Sequence, residues 1–128
     1  MAGGILGGLG VALGAFGTHW LQDAVQRWGL EPEEQTKRLE IWEVAVRYQM
    51  YHALALLALG VLATRANDRC LGWSAKLLLV GVIIFSGCLY ALVLSGIKML
   101  GAIVPVGGTC LMVGWMLLAG AVRDDLST

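Results

Sequence analysis

Four long stretches without a single Asp, Glu, Lys or Arg decide what this chain can fold into. They are Met1–Gln22, Tyr48–Thr64, Leu77–Ile97 and Met99–Val122, of 22, 17, 21 and 24 residues. A helix crosses the ~30 Å hydrocarbon core of a bilayer with about 20 apolar residues. Together the four stretches take up two-thirds of the 128 residues, which excludes a soluble enzyme domain, a secreted disulfide scaffold and a disordered tail. Nine basic and nine acidic side chains cancel, so no net field draws in nucleic acid. The expected fold is an all-α membrane protein, a left-handed bundle of four transmembrane helices forming one integral membrane domain. The spans read as 2–20, 45–64, 73–95 and 99–122, with an interfacial and extramembrane segment at 21–44.

The first stretch lacks the Lys/Arg-bearing start of a secretory leader, and its apolar part exceeds a leader's hydrophobic region. It therefore reads as a retained span. Gly3, Gly7, Gly10, Gly14 and Gly17 follow at +4, +3, +4, +3, one stripe of a helix. In lipid, helices associate where small residues let backbones approach. Similar seams recur as Ala53, Gly60 and Ala63 with Leu56, as Gly81, Cys88, Ala91 and Ser95 with Ile84, and as Gly107, Cys110, Gly114 and Ala121 with Leu117. Spacings near 3.5 predict crossings of about +20°.

The polar segment between the first two stretches carries its own punctuation. Leu21, Val25 and Trp28 share a face, predicting a short amphipathic helix in the headgroup region that Gly29 ends. Pro32 opens a new helix, with Glu33 and Glu34 beside its N-terminal dipole. The i,i+4 pairs Glu33–Lys37, Glu34–Arg38 and Glu43–Arg47 support a single helix over 33–64, ~48 Å long. Residues 65–72 and the turn at Gly96-Ile97-Lys98 are short connections, which make successive helices antiparallel neighbours. Pro105, followed by Gly107 and Gly108, predicts a kink in the last helix.

Arg65, Arg69, Lys76 and Arg123 fall on the side of the termini, against Arg27, Lys37, Arg38, Arg47 and Lys98 opposite. The crowding of Arg65, Arg69 and Lys76 into one short connection favours cytoplasmic termini in a bacterial inner membrane. Cys70, Cys88 and Cys110 have neither disulfide nor metal-ligand spacing and read as small packing residues. Trp20, Trp28, Trp42 and Trp73 lie near helix ends, as an aromatic belt requires, whereas Trp115 is deeper and faces lipid or a partner.

Chemistry has few carriers. Tyr48, Gln49 and His52 share one helix face that the seam turns inward, and His19 closes the first helix at the same membrane side. Ser86 and Tyr90, four apart, add hydroxyls from the third span. These six residues are the candidate ligand-binding cluster, able to contact a headgroup, quinone or ion. The competing reading is that they anchor helices by hydrogen bonds of ~0.6 kcal/mol each. No metal site, nucleotide loop or hydrolase motif is present, so neither cofactor nor enzyme activity is expected.

Four strings, GVALGAFGTHWL at 10–21, AVRYQMYHALALL at 45–57, FSGCLYALVLSG at 85–96 and LGAIVPVGG at 100–108 followed by GW at 114–115, carry a resemblance. The chain resembles the small bacterial membrane proteins catalogued as domain of unknown function four-two-three, relatives of the eukaryotic transmembrane protein two-five-six. The likeness spans nearly the whole chain and implies a four-helix integral membrane protein with no assigned activity. Thr18, Trp20, Cys88 and Val104 depart from the usual family residues, which removes hydroxyls at 88 and 104 from consideration. The expected function is an accessory or interaction subunit that docks on a larger membrane complex or self-associates. The alternative is a binder of a small molecule, lipid or quinone, or a minimal transporter component, using the polar cluster.

Overall fold

The computed structural model of the chain describes residues 1–64 and 69–126, with side chains as far as Ala121. The connection at 65–68 with Arg65, and the Arg123 side chain, lie outside the described residues. Helices α1 (Ala2–Phe16), α2 (Gln22–Arg27), α3 (Pro32–Leu62), α4 (Arg69–Ser95) and α5 (Leu100–Leu126) follow in order, and a single π-turn at Gly17–Leu21 joins α1 to α2. Among the described residues there is no strand, and four helical runs are long and apolar enough to cross a membrane: Ala2–Arg27, Pro32–Leu62, Arg69–Ser95 and Leu100–Ala121. The result is an all-α bundle of four long helices.

The helices pack in chain order, α1 on α3, α3 on α4 and α4 on α5. The glycine stripe of α1 lies against α3. A Cβ on Gly3 would stand 2.7 Å from the Ala53 carbonyl oxygen, one on Gly10 2.6 Å from the Met50 sulfur, and one on Gly17 2.5 Å from the Trp42 ring. Gly14 and Gly7 sit at ordinary contact distance from Val46 and Ala53. The seam between α4 and α5 is equally close: a Cβ on Gly107 would meet the Phe85 backbone nitrogen at 2.6 Å, and one on Gly81 or Gly114 would meet Leu111 or Leu78. Small residues thus let backbones meet where lipid offers no hydrophobic drive.

Two of the anticipated seams run differently. In α3 Ala53 is buried, but Gly60 and Ala63 face outward. In α4 the buried line is Leu71, Ser74, Leu78, Gly81, Val82, Ser86 and Val93, leaving Ala91 and Ser95 exposed. A helix between two neighbours must bury two faces, and a single heptad stripe describes only one. The connection expected over 65–72 is also shorter, since α4 begins at Arg69 and buries Leu71 beside Ala55 and Leu59.

The short helix α2 continues α1 without a break. Leu21 at the end of the π-turn and Val25 of α2 are buried with Trp42 and Val93, so this apolar side is turned onto the bundle. Gly29, at φ +67°, reverses the chain, and Pro32 starts α3 with Glu33 and Glu34 in its first turn. Gly96, at φ +71°, does the same after α4, its amide donating to the Leu92 carbonyl at 2.8 Å.

Candidate functional site

Gln49 occupies the junction of three helices. From its buried position on α3, Nε2 donates to the Leu6 carbonyl of α1 at 2.8 Å, while Oε1 accepts from the Tyr90 hydroxyl of α4 at 2.9 Å. One turn away, Ser86 donates to the Ala45 carbonyl at 2.8 Å, and Ser74 ties α4 to α5 through the Gly114 carbonyl at 2.7 Å. Trp42 donates its indole N–H to the Leu13 carbonyl at 2.9 Å, and its ring rests against Tyr90 at 4.6 Å between centroids. Trp42 is only 4 % exposed, so it belongs to the core, where the missing side chain of Gly17 makes room for it, and not to an aromatic belt. Among the described residues no buried side-chain nitrogen or oxygen lacks a partner. Three of the six candidate residues, Gln49, Ser86 and Tyr90, therefore have their hydrogen bonds inside the protein.

Tyr48 and His52 lie one turn apart on the side of α3 that faces α5. The His52 ring nitrogens are both engaged: Nδ1 contacts the Tyr48 carbonyl at 2.6 Å, and Nε2 lies 3.2 Å from the Trp115 indole nitrogen. A carbonyl only accepts and an indole only donates, so the arrangement fits an imidazole carrying its proton on Nδ1. Trp115 is thus half outward, 45 % exposed, and half bonded across to α3. Tyr48 stacks on Phe85 of α4 at 4.6 Å. These groups line a cleft of about 780 Å³ between α3 and α5, with Pro105, Gly108, Thr109 and Met112 on its α5 wall.

His19 stands apart from this cluster. It is exposed in the π-turn beside Gly17, and Gly17 packs on Trp42. Ten residues of α3 separate Trp42 from His52, about 15 Å along the helix. The antiparallel packing of α1 on α3 carries the two histidines away from each other, so they do not form a common site.

Arg38 is a residue whose role the sequence hid behind an i,i+4 pair. Its Nε contacts Glu34 at 3.2 Å, Nη1 donates to the Val93 carbonyl at 2.9 Å, and the guanidinium lies 5.7 Å from the Trp28 ring centre. Val93 offers one of the last carbonyls of α4, so a cation caps the negative end of that helix dipole. Glu43 and Arg47 form the second ion pair among the described residues, on an exposed face. Lys37 and Lys98 share a small hollow with Glu34, Arg38, Ile41, Leu92 and Gly96, and among the described residues neither lysine is in an ion pair. Among the described residues no three His, Cys, Asp or Glu side chains converge as a metal site would require.

This fold and these contacts define a small four-helix membrane protein whose interior polar groups join helices. Residues 13–108 match the family described as "Protein of unknown function (DUF423)", and the chain belongs to that family. It is 44% identical over 112 residues to a UPF0382 membrane protein of Staphylococcus saprophyticus, covering 86% of this chain and 83% of that one. It is also 38% identical over 120 residues to the UPF0382 membrane protein YwdK of Bacillus subtilis, covering 90% and 88%. No solved structure matches it.

Proposed function

We propose that this chain is a non-catalytic accessory subunit that docks through α1 onto another membrane helix, in a larger complex or in a second copy of itself. The observation that carries this reading is a second small-residue stripe on α1. Gly4, Gly8, Ala12 and Ala15 are exposed, and a Cβ on Gly4 or Gly8 would meet nothing within 4 Å. The stripe lies beside the exposed Ile5, Leu9 and Val11, on a helix whose main neighbour is α3 alone. Small residues at three- and four-residue spacing let a neighbouring helix approach closely in lipid. The inward polar groups support the same reading, since they are committed to helix pairing.

The spans 2–20, 45–64, 73–95 and 99–122, in a bacterial inner membrane with both termini cytoplasmic, complete the proposal. Arg69 and Lys76 at the start of α4 favour that orientation. In a chain stripped of its native cysteines, Lys98→Cys should then react with an impermeant maleimide added to spheroplasts, and labelling only after lysis would reverse the topology.

Docking is tested by Gly4→Leu with Gly8→Leu. These substitutions leave the α3 seam untouched, so the chain should keep its fold while its larger species disappears from mild-detergent native electrophoresis. A wild-type chain that runs as a lone 13.6 kDa protein at every detergent level would refute the proposal.

A further inference from the structure

The cleft between α3 and α5 and the basic hollow are lined from the same two helices, α3 and α4, the hollow lying toward their polar end. On α3 the positions Lys37, Ile41, Val44, Tyr48 and His52 recur at three- and four-residue spacing, which places them on one face. On α4 the floor is Gly96 and Leu92 in the hollow and Phe85 in the cleft, again one stripe. On the α5 side Lys98 lies at the rim, then Pro105, Met112 and Trp115 descend. From Lys37 to His52 is fifteen residues, about 22 Å along the helix. That is the depth of one leaflet, half of the ~40–45 Å bilayer.

The occupant follows from the chemistry along this path. Its deep part is lined by Tyr48, Phe85, Met112 and Trp115 and opens sideways into hydrocarbon, so an acyl chain fills it where water would find few partners. Its rim holds two lysines that form no ion pair among the described residues, with Arg38 beside them and one lining carboxylate, Glu34, already bonded to Arg38. Lysine ammoniums at the mouth of a groove between transmembrane helices attract a phosphate by charge and hydrogen bonding, whichever side of the membrane they face. We propose that the α3–α5 cleft seats one anionic phospholipid, its phosphate between Lys37 and Lys98 and an acyl chain laid along Tyr48 and Phe85 toward Trp115. The inference is independent of docking through α1, which uses the opposite edge of the bundle.

The full-length protein, exchanged into vesicles of equal phosphatidylglycerol and phosphatidylcholine and released gently, is to be weighed by native mass spectrometry. The expected result is one retained lipid per chain, with phosphatidylglycerol preferred by roughly tenfold. Lys37→Gln with Lys98→Gln should bring the ratio near one. Gly108→Leu should remove the retained lipid with both lysines in place, because a Cβ there meets only the Phe85 ring at 3.8 Å and a larger side chain enters the cleft. Thermal unfolding of each variant separates loss of the site from loss of fold, and the wild-type lipid ratio decides the matter even where a variant unfolds. Equal retention of both lipids by the wild type would overturn the proposal. So would an unchanged preference in the folded double lysine variant, displacement of the lipid by soluble glycerol phosphate, or a dimer that excludes lipid from the cleft.

Discussion

The Tyr90 hydroxyl donates to Gln49 Oε1 at 2.9 Å, and the same amide donates onward to the Leu6 carbonyl at 2.8 Å. Three helices meet at this one side chain. Its value lies in what each partner would lose without it, since a polar group inside a bilayer has no water to turn to.

Replacing Gln49 by Leu should therefore destabilise the fold by about 1–2 kcal/mol, and Tyr90→Phe by ~0.6 kcal/mol. In a double-mutant cycle the two should couple by roughly 0.5 kcal/mol, measured by reversible denaturant unfolding in mixed micelles. Strict additivity would show that the hydrogen bond contributes nothing net.

Gly107 and Gly87 offer a contrast within one seam and its outer face. A Cβ at Gly107 would press on the Phe85 backbone nitrogen at 2.6 Å and the Gly81 carbonyl oxygen at 2.9 Å, atoms that cannot swing aside, whereas Gly87 faces open space. Gly107→Ala should cost about 1–3 kcal/mol. Gly87→Ala should be neutral or stabilising by up to ~1 kcal/mol through helix propensity. Equal unfolding midpoints for the two variants would contradict the close approach of α4 and α5.

Arg38 joins the α2–α3 bend to the end of α4, and its planar fork reaches Glu34 and Val93 together. Lysine presents a point charge and cannot make both contacts in the same geometry. Arg38→Lys should cost about 1 kcal/mol and speed hydrogen exchange at the Gly96 amide, which closes the last turn of α4. Unaltered exchange there would remove Arg38 from the role of a cap.

His52 gives a spectroscopic prediction. Nitrogen-15 spectra should show the proton on Nδ1 and a bare Nε2 whose resonance moves in Trp115→Phe, because that change removes the indole donor at 3.2 Å. A proton found on Nε2 would break the contact between α3 and α5 as described.

Much of the framework is readable from residue order. Charge-free stretches of bilayer length mark the long helices, Pro32 and Glu33 mark where α3 starts, and Gly29 and Gly96 mark reversals that only a positive φ completes. The candidate cluster was legible only in part. Tyr48, Gln49 and His52 are neighbours by helical spacing alone, but which of them keeps its polar atoms for the interior depends on Leu6, Tyr90 and Trp115, far away in the chain. Trp42 shows the same limit. Its position near a helix end suggests a membrane boundary, and only the empty space at Gly17 turns it inward.

The sequence by itself determined that the chain is a four-helix membrane protein with short connections and small-residue faces, because hydropathy, glycine and proline act locally. Tertiary structure alone decided that His19 and His52 lie apart, that Arg38 caps a helix it does not belong to, and that α3 and α5 flank a cleft. Those outcomes rest on the relative depth and rotation of packed helices. Periodicity along one helix fixes a face but not the neighbour it will meet.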